Sequence, residues 1–132
     1  MSYEMTVTAK AGYLHFQVTG ENILQTVLDY TAEIYQECMR RNCWKVLVAE
    51  NLQGDPLSMT DIYQVIAQGS EFIKQPMVVA FVDENPRSAR NLEFAENVAF
   101  NRGLNLRVFD DLQKAEAWIQ QVSDPPTFKS KT

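Results

Sequence analysis

Histidine and cysteine are scarce in this chain of 132 residues, which has one histidine, His15, and two cysteines, Cys38 and Cys43. The cysteines lie five positions apart, outside any CxxC pair and away from the histidine. Zinc sites and disulfide frameworks need closely spaced sets of such residues. We therefore expect no metal site, and we expect two free thiols of the kind found in a reducing compartment.

Basic residues are outnumbered, with 12 Lys and Arg against 17 Asp and Glu and a formal charge of -5. Because nucleic-acid binding depends on clustered Lys and Arg, we expect no nucleic-acid partner. No apolar run approaches the roughly 20 residues of a membrane span, and residues 1–10 lack the apolar stretch of a secretory leader. The expected location is the cytoplasm.

Common catalytic and nucleotide-binding motifs are absent as well: GxGxxG, GxxxxGK[ST], GxSxG and HExxH do not occur. His15 has no Ser, Cys or carboxylate partner nearby in sequence, so a structural role is expected. We expect a non-enzymatic protein without a cofactor. The alternative, an enzyme, would need polar groups from distant segments to converge in a pocket, such as His15 with a carboxylate.

Apolar residues alternate, run together or recur at helical spacing along most of the chain. Two alternating runs around Lys10-Ala11-Gly12 predict a β-hairpin. Continuous runs such as KVLVA and MVVAFV predict buried parallel strands, separated by amphipathic helices. The predicted order is β-β-α-β-α-β-α-β-α: a single α/β domain over residues 1–122, with a mainly parallel sheet, an N-terminal hairpin and helices on the sheet's faces. Residues 123–132 contain two prolines and no periodicity, which predicts a mobile tail.

The carboxyl ends of parallel strands meet at one edge of a sheet, and open α/β sheets bind ligands at that edge. We expect the turns after the strands to cluster there, together with Glu21, Glu50, Asp55, Asp83, Glu84, Asp110 and Asp111. The helix macrodipole explains acidic side chains at helix starts. The alternative is a hard-cation site, although the spacing of these residues is scattered.

The segment LRVFDDLQKAEAWI ends a short strand at Phe109 and passes through an acidic turn at Asp110 into a helix with Ala115, Ala117 and Trp118. Together with the order of elements over residues 3–122, it resembles the STAS superfamily (sulfate transporter and anti-sigma-factor antagonist domains), in particular the small stand-alone SpoIIAA-like proteins. The resemblance implies a regulatory domain that binds a protein partner or, as in some members, a small apolar or lipid-like ligand between sheet and helices.

Ser58 and Thr60 stand where the resemblance places a phosphorylation site, in the loop before the second helix. The family's Asp-Ser-Ser-Gly motif is not present there, and Pro56 and Leu57 precede Ser58. Asp61 follows Ser58 at the spacing of a capping box, so the Ser58 hydroxyl is also explained as a helix cap. We favour the cap and retain phosphorylation of Ser58 or Thr60 as the alternative.

We expect a regulatory or protein-binding domain whose interaction surface is the loop edge, formed by Gln53, Asp55, Leu57, Ser58, Met59, Thr60, Asp61, Asp83 and Arg87. A protein partner predicts an exposed apolar patch near Leu57 and Met59. The alternative, a small apolar ligand, predicts an enclosed, mostly apolar cavity of about a few hundred Å³ lined by helix residues such as Tyr63 or Phe94. The outer hairpin strand could also pair across a homodimer.

Overall fold

A computed structural model describes residues 3–72 and 74–125. Within them the chain forms five strands, four helices and one short 3-10 turn. In chain order these are β1 (Tyr3–Lys10), β2 (Tyr13–Glu21), α1 (Leu24–Arg41), β3 (Lys45–Gln53), α2 (Met59–Phe72), β4 (Val78–Val82), the 3-10 turn (Pro86–Ser88), α3 (Ala89–Asn101), β5 (Asn105–Phe109) and α4 (Leu112–Gln121). The predicted order of strands and helices is confirmed. No helix in this part of the chain is long and apolar enough to cross a bilayer.

The strands form one sheet in the order β1-β2-β3-β4-β5. β1 pairs antiparallel with β2, and the remaining neighbours are parallel. The hairpin turn needs only Ala11 and Gly12, because Gly12 adopts a left-handed φ of 87° that glycine reaches without a Cβ clash. Spatial order follows chain order, so right-handed crossovers place α1, α2 and α3 on the same face of the sheet.

Alternation along the strands divides the core into two layers. On the face covered by α1, Phe16 and Val48 pack with Ile34. On the opposite face, Leu47 packs with Ile119 of α4. β3 is therefore buried on both sides, which explains why its first half is a continuous apolar run rather than an alternating one.

β3 continues beyond the predicted strand. The run KVLVA predicts a strand from Lys45 to Ala49, whereas the structure extends β3 to Gln53, paired along its length with the equally long β2. Glu50 therefore lies inside β3, and the predicted turn at this position is wrong. Alternation puts its side chain on the same face as Val48, towards α1.

Lys45 anchors the segment that follows α4. Its side chain is buried, and its ammonium group donates a hydrogen bond to the carbonyl oxygen of Val122 at 2.7 Å and lies 3.5 Å from the Asp124 carboxylate. The start of the predicted tail is thus in contact with the domain. Residues 126–132 of that tail lie outside the described residues, as does Ile73, the last apolar position of the predicted second helix.

Candidate ligand site

An apolar pocket of about 210 Å³ lies between the sheet and helices α1, α2 and α3. It is neither sealed from solvent nor a flat surface. Both the sheet and the three helices contribute apolar side chains to its wall, including Ile34, Val46, Val48, Ile62, Val65, Ile66, Val79, Phe81, Leu92, Ala95 and Ala99. Its apolar wall, its size and its place between sheet and helices match the small-ligand hypothesis, whereas the expected enclosure is wrong, because the pocket is partly open to solvent.

Small residues on the helices leave this space open. Gly69 of α2 is buried, yet a Cβ atom at this position would meet no atom of a neighbouring segment within 4 Å. On α3, Ala95 and Ala99 each present only a methyl group to the pocket. Protein cores are otherwise packed about as densely as organic crystals. Glycine and alanine at these positions of α2 and α3 therefore leave part of the space between the helices and the sheet unfilled.

Two carboxyl groups and a phenol form the polar end of the pocket. The Tyr30 hydroxyl donates a hydrogen bond to the Glu50 carboxylate, and Asp83 lines the same pocket directly after β4. Ala49 of β3 is the register partner of Val82 in β4. Glu50 and Asp83 therefore occupy the next pair of positions on neighbouring strands, with both side chains on the pocket face. We call Tyr30, Glu50 and Asp83 the polar end.

Burial is the main cause of the pKa shifts of Glu50 and Tyr30. It raises the pKa of Glu50 to about 7, with the Tyr30 hydrogen bond opposing the shift and the charge of Asp83 adding to it. Burial, followed by the charge and hydrogen bond of Glu50, raises the pKa of Tyr30 well above its ordinary value. Near neutral pH, Glu50 is divided between its neutral and charged forms while Tyr30 keeps its proton. The pocket thus contains a carboxyl group that changes charge close to neutrality.

Hydrogen bonds tie together the loops at the carboxyl edge of the sheet. Asp55 forms an ion pair with Arg87 at 2.9 Å, and its carbonyl oxygen accepts from Asn22 Nδ2 at 2.9 Å. Asn91 Nδ2 donates to the carbonyl oxygen of Leu57 at 2.6 Å. The loop before α2 is thereby linked to the start of α1 and to the segment around the start of α3.

The residues of the predicted interaction surface divide between the pocket and the outside. Leu57 and Asp83 line the pocket, and Asp61 is half-buried. The others are exposed: Gln53, Asp55, Ser58, Met59, Thr60 and Arg87. An exposed apolar patch was expected at Leu57 and Met59. Met59 is exposed, but Leu57 faces the pocket, so the expectation is wrong for Leu57. Tyr63, one turn after Met59 on α2, is exposed instead.

Tyr63 and Phe94 do not line the pocket, contrary to the expectation for a ligand cavity. Ile62 and Ile66 of α2 face the sheet, so the helical register directs Tyr63 away from it. The Tyr63 hydroxyl accepts a hydrogen bond from Arg102 at 2.8 Å, and the guanidinium also lies 5.3 Å from the ring centroid. Tyr63 belongs to the outer surface that α2 shares with the end of α3.

Ser58 caps α2, as predicted, because its Oγ accepts a hydrogen bond from the Asp61 N–H at 3.1 Å. Thr60 is exposed in the first turn of the helix. Phosphorylation of Ser58 or Thr60 stays a prediction. At Ser58 it would compete with the cap, since the capping oxygen would carry the phosphate.

The acidic residues of the loop edge have separate local contacts. Asp111 caps α4 by accepting a hydrogen bond from the Gln113 N–H at 2.8 Å. Asp110 lies 4.0 Å from the Lys114 ammonium group. Among the residues that the structure describes, no three His, Cys, Asp or Glu side chains come together closely enough to hold a metal ion.

His15 lies on the opposite side of the sheet from the pocket, because its neighbour Phe16 faces α1. Burial, followed by the charge of Lys10, lowers its pKa. The sequence did not predict that Tyr30 and Glu50 meet in the pocket. A signal for Glu50 was present: continuing the alternation of β3 past Val48 places it on the pocket face.

No family model and no curated protein matches the sequence. Among solved structures, the fold is similar to the NMR structure of the protein TM1081, with a TM-score of 0.53, 12% sequence identity and coverage of 88% of each chain. At this identity the similarity extends to the fold alone.

Proposed function

We propose that this chain is a non-enzymatic, STAS-like regulatory domain of the cytoplasm that binds a small, mainly apolar molecule in the pocket between its sheet and helices α1–α3. The observation that carries the proposal is the apolar pocket of about 210 Å³. Ligand sites are concave and mostly apolar, with a few polar groups that fix orientation. The apolar wall and the polar end match that description.

The size of the pocket also gives a physical reason for an occupant. Cavities left in protein cores cost about 24 cal/mol per Å³, so a sealed cavity of 210 Å³ would cost about 5 kcal/mol, and this pocket, which is partly open to solvent, costs less. Whole domains are stable by only about 5–15 kcal/mol. A ligand that covers the apolar wall of the pocket would therefore add to the stability of the domain, by less than this sealed-cavity limit.

The contacts of the polar end suit a group that orients a bound ligand. Tyr30 donates its only hydroxyl proton to Glu50, so the two groups of that pair are directed at each other. The pair therefore holds the Glu50 carboxyl in position, and the second carboxylate oxygen can accept a hydrogen bond from a polar atom of the ligand.

The direct test fills the pocket from within. Gly69→Leu places a side chain in the open space in front of the buried glycine, whereas Gln68→Leu adds the same side chain on the exposed side of α2 and serves as the matched control. NMR titration with 1-heptanol should shift resonances of Val65, Ala95 and Val48 in the wild type and in Gln68→Leu. Gly69→Leu should abolish those shifts while keeping a folded spectrum. Shifts that persist in Gly69→Leu, or that are absent from the wild type, contradict the proposal.

A protein partner is the second candidate function, and the exposed apolar residues of α2 support it. Met59 and Tyr63, one helical turn apart, are 39% and 46% exposed beside the loop that the Asp55–Arg87 ion pair holds in place. Apolar groups at i and i+4 on one helix face are a common element of protein interfaces.

The partner hypothesis is tested by affinity purification from the native host with three baits. A partner that docks on α2 should be retained by the wild type and lost with Met59→Glu/Tyr63→Glu. Met39→Glu is the matched control, since Met39 is an exposed methionine of α1. A partner that survives the double substitution docks elsewhere.

A further inference from the structure

We propose that the ligand of this pocket carries a protonated amine at one end of an apolar body, and that Glu50 and Asp83 bind the amine. The inference rests on the proposed function and adds the chemical class of the ligand. It follows from the distribution of charge in the pocket wall, from the position of the two carboxyl groups and from the pocket's size.

The wall has acids and no bases. Among the described residues that line the pocket, Glu50 and Asp83 carry carboxyl groups, and none is Lys, Arg or His. A carboxylate or phosphate on the ligand would meet like charge with no counter-ion at hand, and a buried uncompensated charge is strongly unfavourable. A cationic group would meet opposite charge, so charge complementarity selects it.

The two carboxyl groups are placed to share one cation. Glu50 on β3 and Asp83, the residue directly after β4, each lie one position past the register pair Ala49–Val82, and neighbouring strands lie about 4.8 Å apart in a sheet. An ammonium group has three donors and can bond both carboxylates at once. The Tyr30 hydroxyl holds Glu50 from the side of α1, and the Asp83 carboxylate accepts a hydrogen bond from the Asn85 N–H at 3.0 Å. Both acids are thus fixed in position before a ligand arrives.

The volume limits the apolar body. A cavity of about 150 Å³ binds benzene, which has six non-hydrogen atoms. In proportion, the 210 Å³ of this pocket hold about eight non-hydrogen atoms. An alkylamine or arylalkylamine of this size fits, whereas the long acyl chains of a membrane lipid do not fit as a whole.

Protonation of Glu50 makes the amine's affinity depend on pH. The titratable side chains of the wall are Tyr30 and Tyr35 from α1, Glu50 from β3 and Asp83 after β4; in the described part of the wall, none comes from α2, α3 or β5. Glu50 has a pKa of about 7, and an ammonium group favours its charged form. Amine binding should therefore release a proton near pH 6–7 and strengthen as the pH rises to about 8.

The experiment compares three probes of matched length by isothermal titration calorimetry: n-heptylamine, 1-heptanol and heptanoate. They are titrated into the wild type, Glu50→Gln, Asp83→Asn and the control Glu84→Gln, whose exposed carboxyl lies next to Asp83 but outside the pocket wall. We expect heptylamine to bind about tenfold or more tightly than 1-heptanol, with heptanoate weakest. Glu50→Gln and Asp83→Asn should each remove most of this preference, and Glu84→Gln should leave it unchanged.

The outcomes separate this inference from the proposed function. If 1-heptanol binds and is blocked by Gly69→Leu, but heptylamine binds no more tightly than the alcohol, the amine is overturned and the apolar site stands. An amine preference that Glu50→Gln and Asp83→Asn leave intact also overturns it, since surface charge would then explain the binding. If no probe binds the wild type, both proposals fail.

Discussion

The Glu50 carboxyl lies among apolar side chains on the face of β3 that α1 covers. Its charged form is unfavourable there, so it lowers the free energy of unfolding by an amount that varies with pH. Its pKa rises from 4.5 to about 7 on folding. The folded protein therefore binds the proton more tightly than the unfolded chain, and the free energy of unfolding falls as the pH rises from about 4.5 to about 7, then levels off. At about 1.4 kcal/mol per pKa unit, the loss is up to about 3 kcal/mol.

Glu50→Gln should remove this dependence, because the glutamine carbonyl can still accept the Tyr30 hydrogen bond without carrying a charge. We expect equal stability of the variant and the wild type near pH 4, and a variant more stable by up to about 3 kcal/mol at pH 8. Urea unfolding at a series of pH values measures the difference. Glu84→Gln, at an exposed carboxyl, should follow the wild type. Parallel curves for wild type and Glu50→Gln would contradict the burial of this group.

At the scale of elements, α2 and α3 form the outer wall of the pocket. A glycine lies within α2 and another follows α3, and the two have different backbone conformations. Gly69 lies inside α2, whereas Gly103 follows α3 with a left-handed φ of 77°. At neither position would a Cβ atom meet a neighbouring atom within 4 Å. The two positions therefore differ in backbone conformation and not in steric room.

Gly69→Ala should stabilise the protein by about 1 kcal/mol, since alanine is the better helix former and its methyl group enters open space. Gly103→Ala should destabilise it by about 1 kcal/mol, because an L side chain is strained at that φ. Chemical denaturation of both variants beside the wild type gives the two signs. A loss of stability in Gly69→Ala would show that the space in front of Gly69 is not open.

The elements were predictable because each carries its own local periodicity, from the alternation of β1 to the helical spacing of α1. The end of β3 was not, since β3 reaches Gln53 only by pairing with β2, a non-local contact that periodicity does not record. The site was missed for the same reason. Tyr30 and Glu50 lie 20 positions apart and meet only once α1 lies on the sheet. The pocket exists because residues such as Gly69 leave space between the helices and the sheet unfilled, and periodicity does not record such space.

At the scale of the whole molecule, stability should be greatest in the middle of the sheet. β3 has a paired strand on each side, and its first half is covered by helices on both faces. β1 has one free edge, and the wall of the pocket has open space behind α2 and α3. Local opening is easiest where few buried contacts hold a segment.

Native-state hydrogen exchange followed by NMR should therefore show the slowest amides in β3, around Val46 and Val48, and faster exchange in α2 and α3. Saturating n-heptylamine should slow exchange in α2 and α3 more than in α4, which packs on the other face of the sheet. Equal slowing in α4 would indicate global stabilisation by a ligand bound elsewhere.

A homodimer through the free edge of β1 stays a prediction. Thr6 and Thr8 are exposed on this strand. Pairing of two β1 strands would extend the sheet across a dimer, whereas a monomer would leave the edge to water. Sedimentation velocity over a range of protein concentrations distinguishes the two, and a dimer that persists in an Ala9→Pro variant, which removes an N–H that faces the free edge, would use another surface.

The buried Lys45 ammonium group sets a practical limit on how far the chain can be shortened. Its hydrogen bond to the Val122 carbonyl comes from the far end of the domain, so deletion of residues from Val122 onward would strand a positive charge inside the protein. Shortened forms made for crystallisation, and fusions that replace the C-terminal segment, should therefore keep the chain at least through Asp124.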